Sequence, residues 1–485
     1  MSTKIALLLV PALALSASAS LLATPGAARA QALAQRTFED DPLLAELIQE
    51  SLKHRPELRQ VDGLLRAEHE RVPQSGAFPD PILSLGLQND GFQGIQIGKM
   101  ETSFWQVMVT QPIPWPGKLG LRSEVAAVGI RLAEAGMSRA RLTAEAEVKR
   151  AYLDLLLARD RLALLARLEA LWGKVEALAR VRYENGEGTQ SDLLRAQLER
   201  NRLRQRRWAL EAEVRTRLGA LNRLAGRPPE QPIETVRSVA DLALPAVPAE
   251  AEALADAERR SPELLQARLQ TERAARQVEL ARRDRWPDLA VSAAIMPRGG
   301  FDPMWSAGVS VSLPIFSASK QGRAVAESEL RAAASGDGAE TVRQVLRQRV
   351  RERIWLLESL VESARLYREG LLVQSRATAD STTSQYRVGR VTFASVLEAL
   401  GGTIADEDGA LQAVVAAQRV AVAAGEVSLE SAGGGGGALA SGGVPGAAAM
   451  GGGAAGGAGG GGGASSASAS GGPPTSGGDS SMTKM

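Results

Sequence analysis

The 485-residue chain has no cysteine, two histidines and only 4% aromatic residues. Without cysteine there can be no disulfide, thiolate metal site, cysteine nucleophile or lipid attachment through cysteine. His54 and His69 fall on one predicted helix, with no carboxylate at a ligand spacing, whereas a zinc site needs three or four ligands. No Ser/His/Asp order stands out, and two histidines leave little general acid–base capacity, so an enzyme, a metal centre or a cofactor is not expected. Gly117-Lys118 lacks the rest of a phosphate loop and reads as a turn before a helix. Neither sign of charge dominates, with 57 basic against 55 acidic residues, so no nucleic-acid footprint is present. Beyond the N-terminus no apolar run reaches the ~18 residues of a membrane-spanning helix. What is abundant is Ala, Leu, Arg, Glu and Gln, a composition suited to long helices with narrow contact seams.

The first 30 residues have the parts of a secretory signal. Lys4 precedes an apolar run from Ile5 to Leu15, and Ala17-Ser18-Ala19 and Ala28-Arg29-Ala30 both offer cleavage sites, of which the second is preferred. The run is too short to anchor the chain as a helix across ~30 Å of hydrocarbon. At the other end, residues 432–485 are Gly/Ala/Ser-rich and cannot bury enough apolar surface to fold, so a disordered tail is expected.

Between these ends the chain repeats itself. Tyr183-Glu184-Asn185-Gly186-Glu187-Gly188-Thr189 returns about 203 residues later as Tyr386-Arg387-Val388-Gly389-Arg390-Val391-Thr392. Arg55-Pro56-Glu57-Leu58 matches Ser261-Pro262-Glu263-Leu264, Phe78-Pro79-Asp80 matches Trp286-Pro287-Asp288, and Lys118 matches Lys320. A repeat of this size is a duplicated half-molecule. The halves are assigned to 31–226 and 250–431, joined by a Pro-rich linker at 227–249.

Each half has the same predicted order. A helical segment (42–72 or 250–285) leads to two alternating strands, at about 82–90 and 103–112 in the first half and about 288–296 and 304–313 in the second. Pro73 to Pro81 is read as breaking the first helix. Trp105 and Trp305 lie near strand starts, where interfacial aromatics are favoured. The strands alone leave both a lipid-facing sheet and a soluble sheet open; four strands cannot close a membrane barrel without other chains. Met100, Met108, Met296 and Met304, near strand ends, are read as packing or lipid contacts.

A long helix then follows in each half, at 118–184 and 318–387, with apolar steps such as Leu121, Val125, Val128, Leu132 and Val350, Ile354, Leu357, Val361 that form a coiled-coil seam. Ser335-Gly336-Asp337-Gly338 is expected to weaken or bend the second. The returning helices, 191–226 and 393–430, are half as long. A returning helix and a pre-strand helix stacked end to end therefore match one long helix, with the hairpin at one end and the Tyr-x-x-Gly turn at the other.

This layout resembles the TolC family of outer-membrane efflux channels over residues 40–430. The resemblance is carried by the duplicated Tyr-x-x-Gly turns, by Asp192-Leu193-Leu194-Arg195-Ala196-Gln197, and by Pro-Glu-Leu near each half's start. The run from Gln111 to Leu119 is similar to the heavy-metal-efflux (CzcC-like) members. The resemblance implies a homotrimer whose four strands per chain close a twelve-stranded β-barrel above a helical tunnel. It implies a periplasmic adaptor docked at the turns, an inner-membrane RND-type pump that supplies the energy, and outer-membrane lipid around the barrel. Cargo in the CzcC-like members is heavy-metal cations. Carried over by position, Tyr183, Gly186, Asp192, Tyr386, Gly389 and Arg390 are the tip residues that gate the channel and meet the adaptor. Ser395 stands in the second copy where Asp192 stands in the first. Asp192 then either pairs with Arg390, N-caps the returning helix, or does both. The other class of function is a coiled-coil envelope scaffold or adaptor without a channel, which does not account for two duplicated hairpins.

Overall fold

The computed structural model describes residues 38–235 and 237–430. The expected signal segment and C-terminal tail lie outside them.

Helices α1 (Pro42–His54) and α2 (Pro56–Gly76) precede strands β1 (Ile82–Gln88) and β2 (Phe104–Ile113). Helix α3 (Lys118–Glu184) runs unbroken for 67 residues, ~100 Å at 1.5 Å per residue, and α4 (Gln190–Ala225) returns along it. The second half repeats the order: α5 (Glu250–Arg260), α6 (Pro262–Arg283), β3 (Leu289–Arg298), β4 (Phe301–Val311), α7 (Gln321–Leu366), α8 (Leu372–Arg387) and α9 (Phe393–Glu426).

Three sequence expectations need correction. The pre-strand helices are each broken at the Pro-Glu-Leu motif. Arg55 and Ser261 are extended (ψ 124° and 115°), because a residue before proline is pushed out of the helical region, and Pro56 and Pro262 begin the next helix at a position that needs no N–H. Pro73 does not break α2, which continues to Gly76; lying in the last turn, it forfeits its own N–H bond without ending the helix. Ser335 to Gly338 stay helical within α7, and Thr271 of α6 donates to the Ser335 carbonyl at 3.1 Å across the packed pair. The irregularity is instead a π-turn at Tyr367–Leu371, between α7 and α8.

The four strands form one antiparallel sheet in the order β1-β2-β3-β4. The two hairpins therefore pair with each other through β2 and β3, with Val107 opposite Ile295 and Val109 opposite Ala293. β3 and β4 extend past the predicted bounds to a two-residue Gly299-Gly300 turn, with an irregularity between Met296 and Arg298 that accommodates Pro297. Alternation and register together gather Leu83, Leu85, Leu87, Trp105, Val107, Val109, Val291, Ile295, Trp305, Val309 and Val311 on one face, all exposed. The opposite face is small and polar, with Ser84, Gly86, Gln106, Thr110, Ser292, Ser306 and Ser310. Met108, Met296 and Met304 are on this second face, and Met296 faces Met304. Their parity excludes contact with whatever covers the apolar face.

Midway along α3, Tyr152, Leu153, Leu155 and Leu156 are buried against Leu47 of α1, Leu221 of α4 and Val414 and Val415 of α9. The linker is part of this core through Ile233, Val239 and Leu242. Its backbone is pinned by side chains: Arg159 donates to the Ile233 carbonyl and Thr235 Oγ1, both at 2.6 Å, and Asp160 accepts from Ser238 Oγ and the Val239 N–H.

Candidate functional site at the paired interhelical turns

At the far end of α3, Gly186 (φ 77°) reverses the chain, and the Glu187 and Gly188 N–H groups donate to the Arg182 carbonyl at 2.8 and 2.9 Å. A Cβ on Gly188 would come to 3.1 Å from the Tyr183 backbone nitrogen, a tight approach that a side chain would have to push apart. The second turn is built likewise. Gly389 (φ 74°) donates to the Tyr386 carbonyl at 3.0 Å, and the Arg390 N–H to the Gln385 carbonyl at 2.9 Å.

Helix capping differs from the expectation for Asp192. The N-cap of α4 is Thr189, whose hydroxyl accepts from the Asp192 N–H at 3.2 Å. Asp192 occupies the third helical position, where its negative charge meets the positive end of the helix dipole. Thr392 caps α9 in the same way, accepting from Ser395. The Asp192/Ser395 mismatch thus leaves a charge at the third helical position of α4 that α9 lacks, beside the charge reversals Glu184/Arg387 and Glu187/Arg390 in the turns themselves.

The two tyrosines of the repeat have different environments. Tyr183 is 43% exposed, whereas Tyr386 is 2% exposed. Tyr386 packs edge-on against Phe393 (5.6 Å between ring centroids), which in turn meets Trp172 of α3. This cluster, with Val175, Ala179, Ala196 and Leu400, unites the helix ends of both halves. The Tyr386 hydroxyl is buried without a hydrogen-bond partner among the described residues. Burial, followed by the Asp192 charge, raises its pKa, against a smaller opposing effect of Arg182.

Arg182 joins the turns. Its guanidinium lies 4.8 Å from the centre of the Tyr386 ring and donates to the Tyr386 carbonyl and to the Glu187 carbonyl. Sequence reading missed it, although a signal was present: Gln385 stands at the matching place in the second copy, so the arginine is another departure from duplication. Arg390 is exposed, and among the described residues of one chain no ion pair joins it to Asp192. Beside the turns, a groove of about 620 Å³ runs between α3 and α8, lined by Leu168, Val175, Leu178, Arg376, Thr383 and Arg387. No group of three or more metal-ligating residues occurs among the described residues.

The outer membrane efflux protein family matches residues 47–227 and again residues 253–433, once for each half. The chain belongs to the outer membrane efflux protein family. It therefore belongs with transport ducts and shares their TolC-like fold. Solved channels of similar fold include the outer-membrane channel OprN (22% identity, TM-score 0.66, covering 80% of this chain and 90% of that one). CusC, described in connection with transmembrane channel formation, matches at 18% identity and TM-score 0.68, covering 81% and 93%. The open-state MtrE channel of Neisseria gonorrhoeae matches at 18% and 0.66, covering 80% and 89%. No curated sequence matches significantly.

Proposed function

We propose that this efflux protein is the passive outer-membrane duct of a tripartite system in a Gram-negative bacterium. It takes cargo from an inner-membrane RND-type pump through a periplasmic adaptor. The observation that carries the reading is the four-stranded sheet. One face is largely exposed and apolar, the other is small and polar, and among the described residues β1 and β4 have no strand partner on their outer edges. Open edges cannot exist in hydrocarbon, so the sheet must be closed by other copies; three copies make a twelve-stranded barrel. The signal peptide is residues 1–30, the mature chain is not lipidated, and the repeats 31–226 and 250–431 flank the 227–249 linker. The adaptor docks at the turns bearing Tyr183, Gly186, Asp192, Tyr386, Gly389 and Arg390. Heavy-metal cations are the proposed cargo. The CzcC-like stretch supports this, together with Met108, Met296 and Met304 on the polar sheet face, which offer soft ligands.

Fractionation tests the duct: an outer-membrane trimer that dissociates only on heating is expected, and a soluble monomer sinks the reading. A scaffold without a channel would give no conductance in planar bilayers. For cargo, deletion of the protein should sensitise cells to heavy-metal salts; lost tolerance to drugs alone rejects metal as cargo.

A further inference from the structure

The junction between sheet and helices contains an ion pair that joins the two halves. Lys118, at the start of α3, is 2% exposed; its ammonium donates to Asp288 Oδ1 at 2.8 Å and to the Trp286 carbonyl at 2.9 Å. Asp288 Oδ1 also accepts the Trp115 N–H at 2.8 Å, and the Trp115 and Trp286 rings stack at 5.2 Å. This cluster sits where β2 meets β3, the seam between first and second hairpins. Duplication supplies the same charges a second time: Lys320 follows β4 as Lys118 follows β2, and Asp80 precedes β1 as Asp288 precedes β3. In a single chain these second copies are at opposite edges of the sheet. Both are exposed, and neither side chain has an ion-pair or hydrogen-bond partner among the described residues.

We propose that Lys320 of one copy of this chain pairs with Asp80 of the next, closing the seam between copies as Lys118 and Asp288 close the seam within one. The proposal rests on the duct reading and adds its interface chemistry. It also sets a register. Shifting the β2–β3 pairs Gln111–Val291, Val109–Ala293 and Val107–Ile295 by the repeat offsets of 202 and 208 residues gives Leu313–Leu83, Val311–Leu85 and Val309–Leu87 between copies. Every one of these residues is exposed and apolar, so the register extends the apolar face across the seam; a one-residue slip would interrupt it. The aromatic part is less closely repeated. Ser317 stands at the place of Trp115, and the exposed Phe316 and Phe78 are the rings available there.

The absence of cysteine makes the test direct. In the full chain, Leu85→Cys with Val311→Cys should give covalent multimers on oxidation, while Leu85→Cys with Ser310→Cys or with Ala307→Cys should not. Lys320→Asp should lower the temperature at which the trimer dissociates, and adding Asp80→Lys should restore it. A trimer that cross-links only through the control pairs overturns the seam and leaves the duct standing. So does a trimer whose dissociation temperature is the same in Lys320→Asp, Asp80→Lys and the double variant. A protein that forms no multimer in the outer membrane overturns both.

Discussion

Arg182 makes the two halves one unit at the turns. Its contacts with Tyr386 combine a cation–π interaction and a charge-assisted hydrogen bond. Together these contribute about 1–3 kcal/mol at a partly exposed site. Arg182→Ala should therefore raise basal conductance in planar bilayers and speed proteolytic nicking near Gly186 and Gly389; unchanged nicking and conductance would remove the arginine from any gating role. Asp192→Ala should also make the closed tip leakier, whereas Thr189→Ala, which removes the cap alone, should cost about 1 kcal/mol of helix stability without an equal leak. Equal effects of the two variants would reduce Asp192 to a helix-end charge. Tyr386 provides a pH test. Its pKa is raised by burial and by Asp192, so the folded protein holds the phenolic proton longer than the unfolded chain does. The stability linked to that proton is complete below the ordinary tyrosine range near 10 and is lost as pH rises through the raised value. Alkaline difference absorbance should show a late-ionising component that shrinks in Tyr386→Phe, the remainder belonging to buried Tyr152, whose pKa is also raised by burial and by its hydrogen bond to Asp41.

The helices and strands obey local rules that their neighbours sometimes override. The Pro-Glu-Leu motif starts helices because proline fits the first helical position, and the residue before it must leave the helix. Periodicity alone cannot register that one-residue break, which is why 42–72 and 250–285 read as continuous. Ser335 to Gly338 show the reverse case: low local propensity is overcome where α6 packs alongside and Thr271 meets Ser335. At the opposite end from the interhelical turns, Gly98 and Gly299, both at positive φ, bring the two hairpin loops together. A Cβ on Gly299 would lie 2.8 Å from the Gly98 Cα. Gly299→Ala should therefore destabilise the hairpin contact by at least the ~1 kcal/mol of glycine's backbone freedom. It should lower the yield of heat-resistant trimer, while Gly300→Ala, with nothing near its Cβ, should do so less.

For the assembly, the decisive feature is a sheet with one apolar face and two open edges. The proposed lipid contact and closure rest on the same alternation, which leaves apolar odd-numbered residues exposed on every strand. A charge there should be costly: Val109→Arg, near the middle of β2, should cost ~2–4 kcal/mol if the face meets lipid. Its polar-face neighbour Met108→Arg should be tolerated. Measuring outer-membrane assembly of the pair checks this, and equal tolerance would argue against a lipid-facing surface.

Duplication, strand alternation and helix lengths are properties of local pattern, and the chain order alone reveals them. They were enough to place the hairpins at one end of the long helices and the turns at the other. The family resemblance reached the same turns. The distinction between buried Tyr386 and exposed Tyr183, the bridging role of Arg182 and the capping role of Thr189 were not legible, because each depends on which helix ends meet across the two halves. The Lys118–Asp288 pair is similar: its residues are 170 positions apart and meet only because β2 pairs with β3. Sequence repeats specify equivalent parts, but packing decides which copies find partners inside the chain and which are left at its edges.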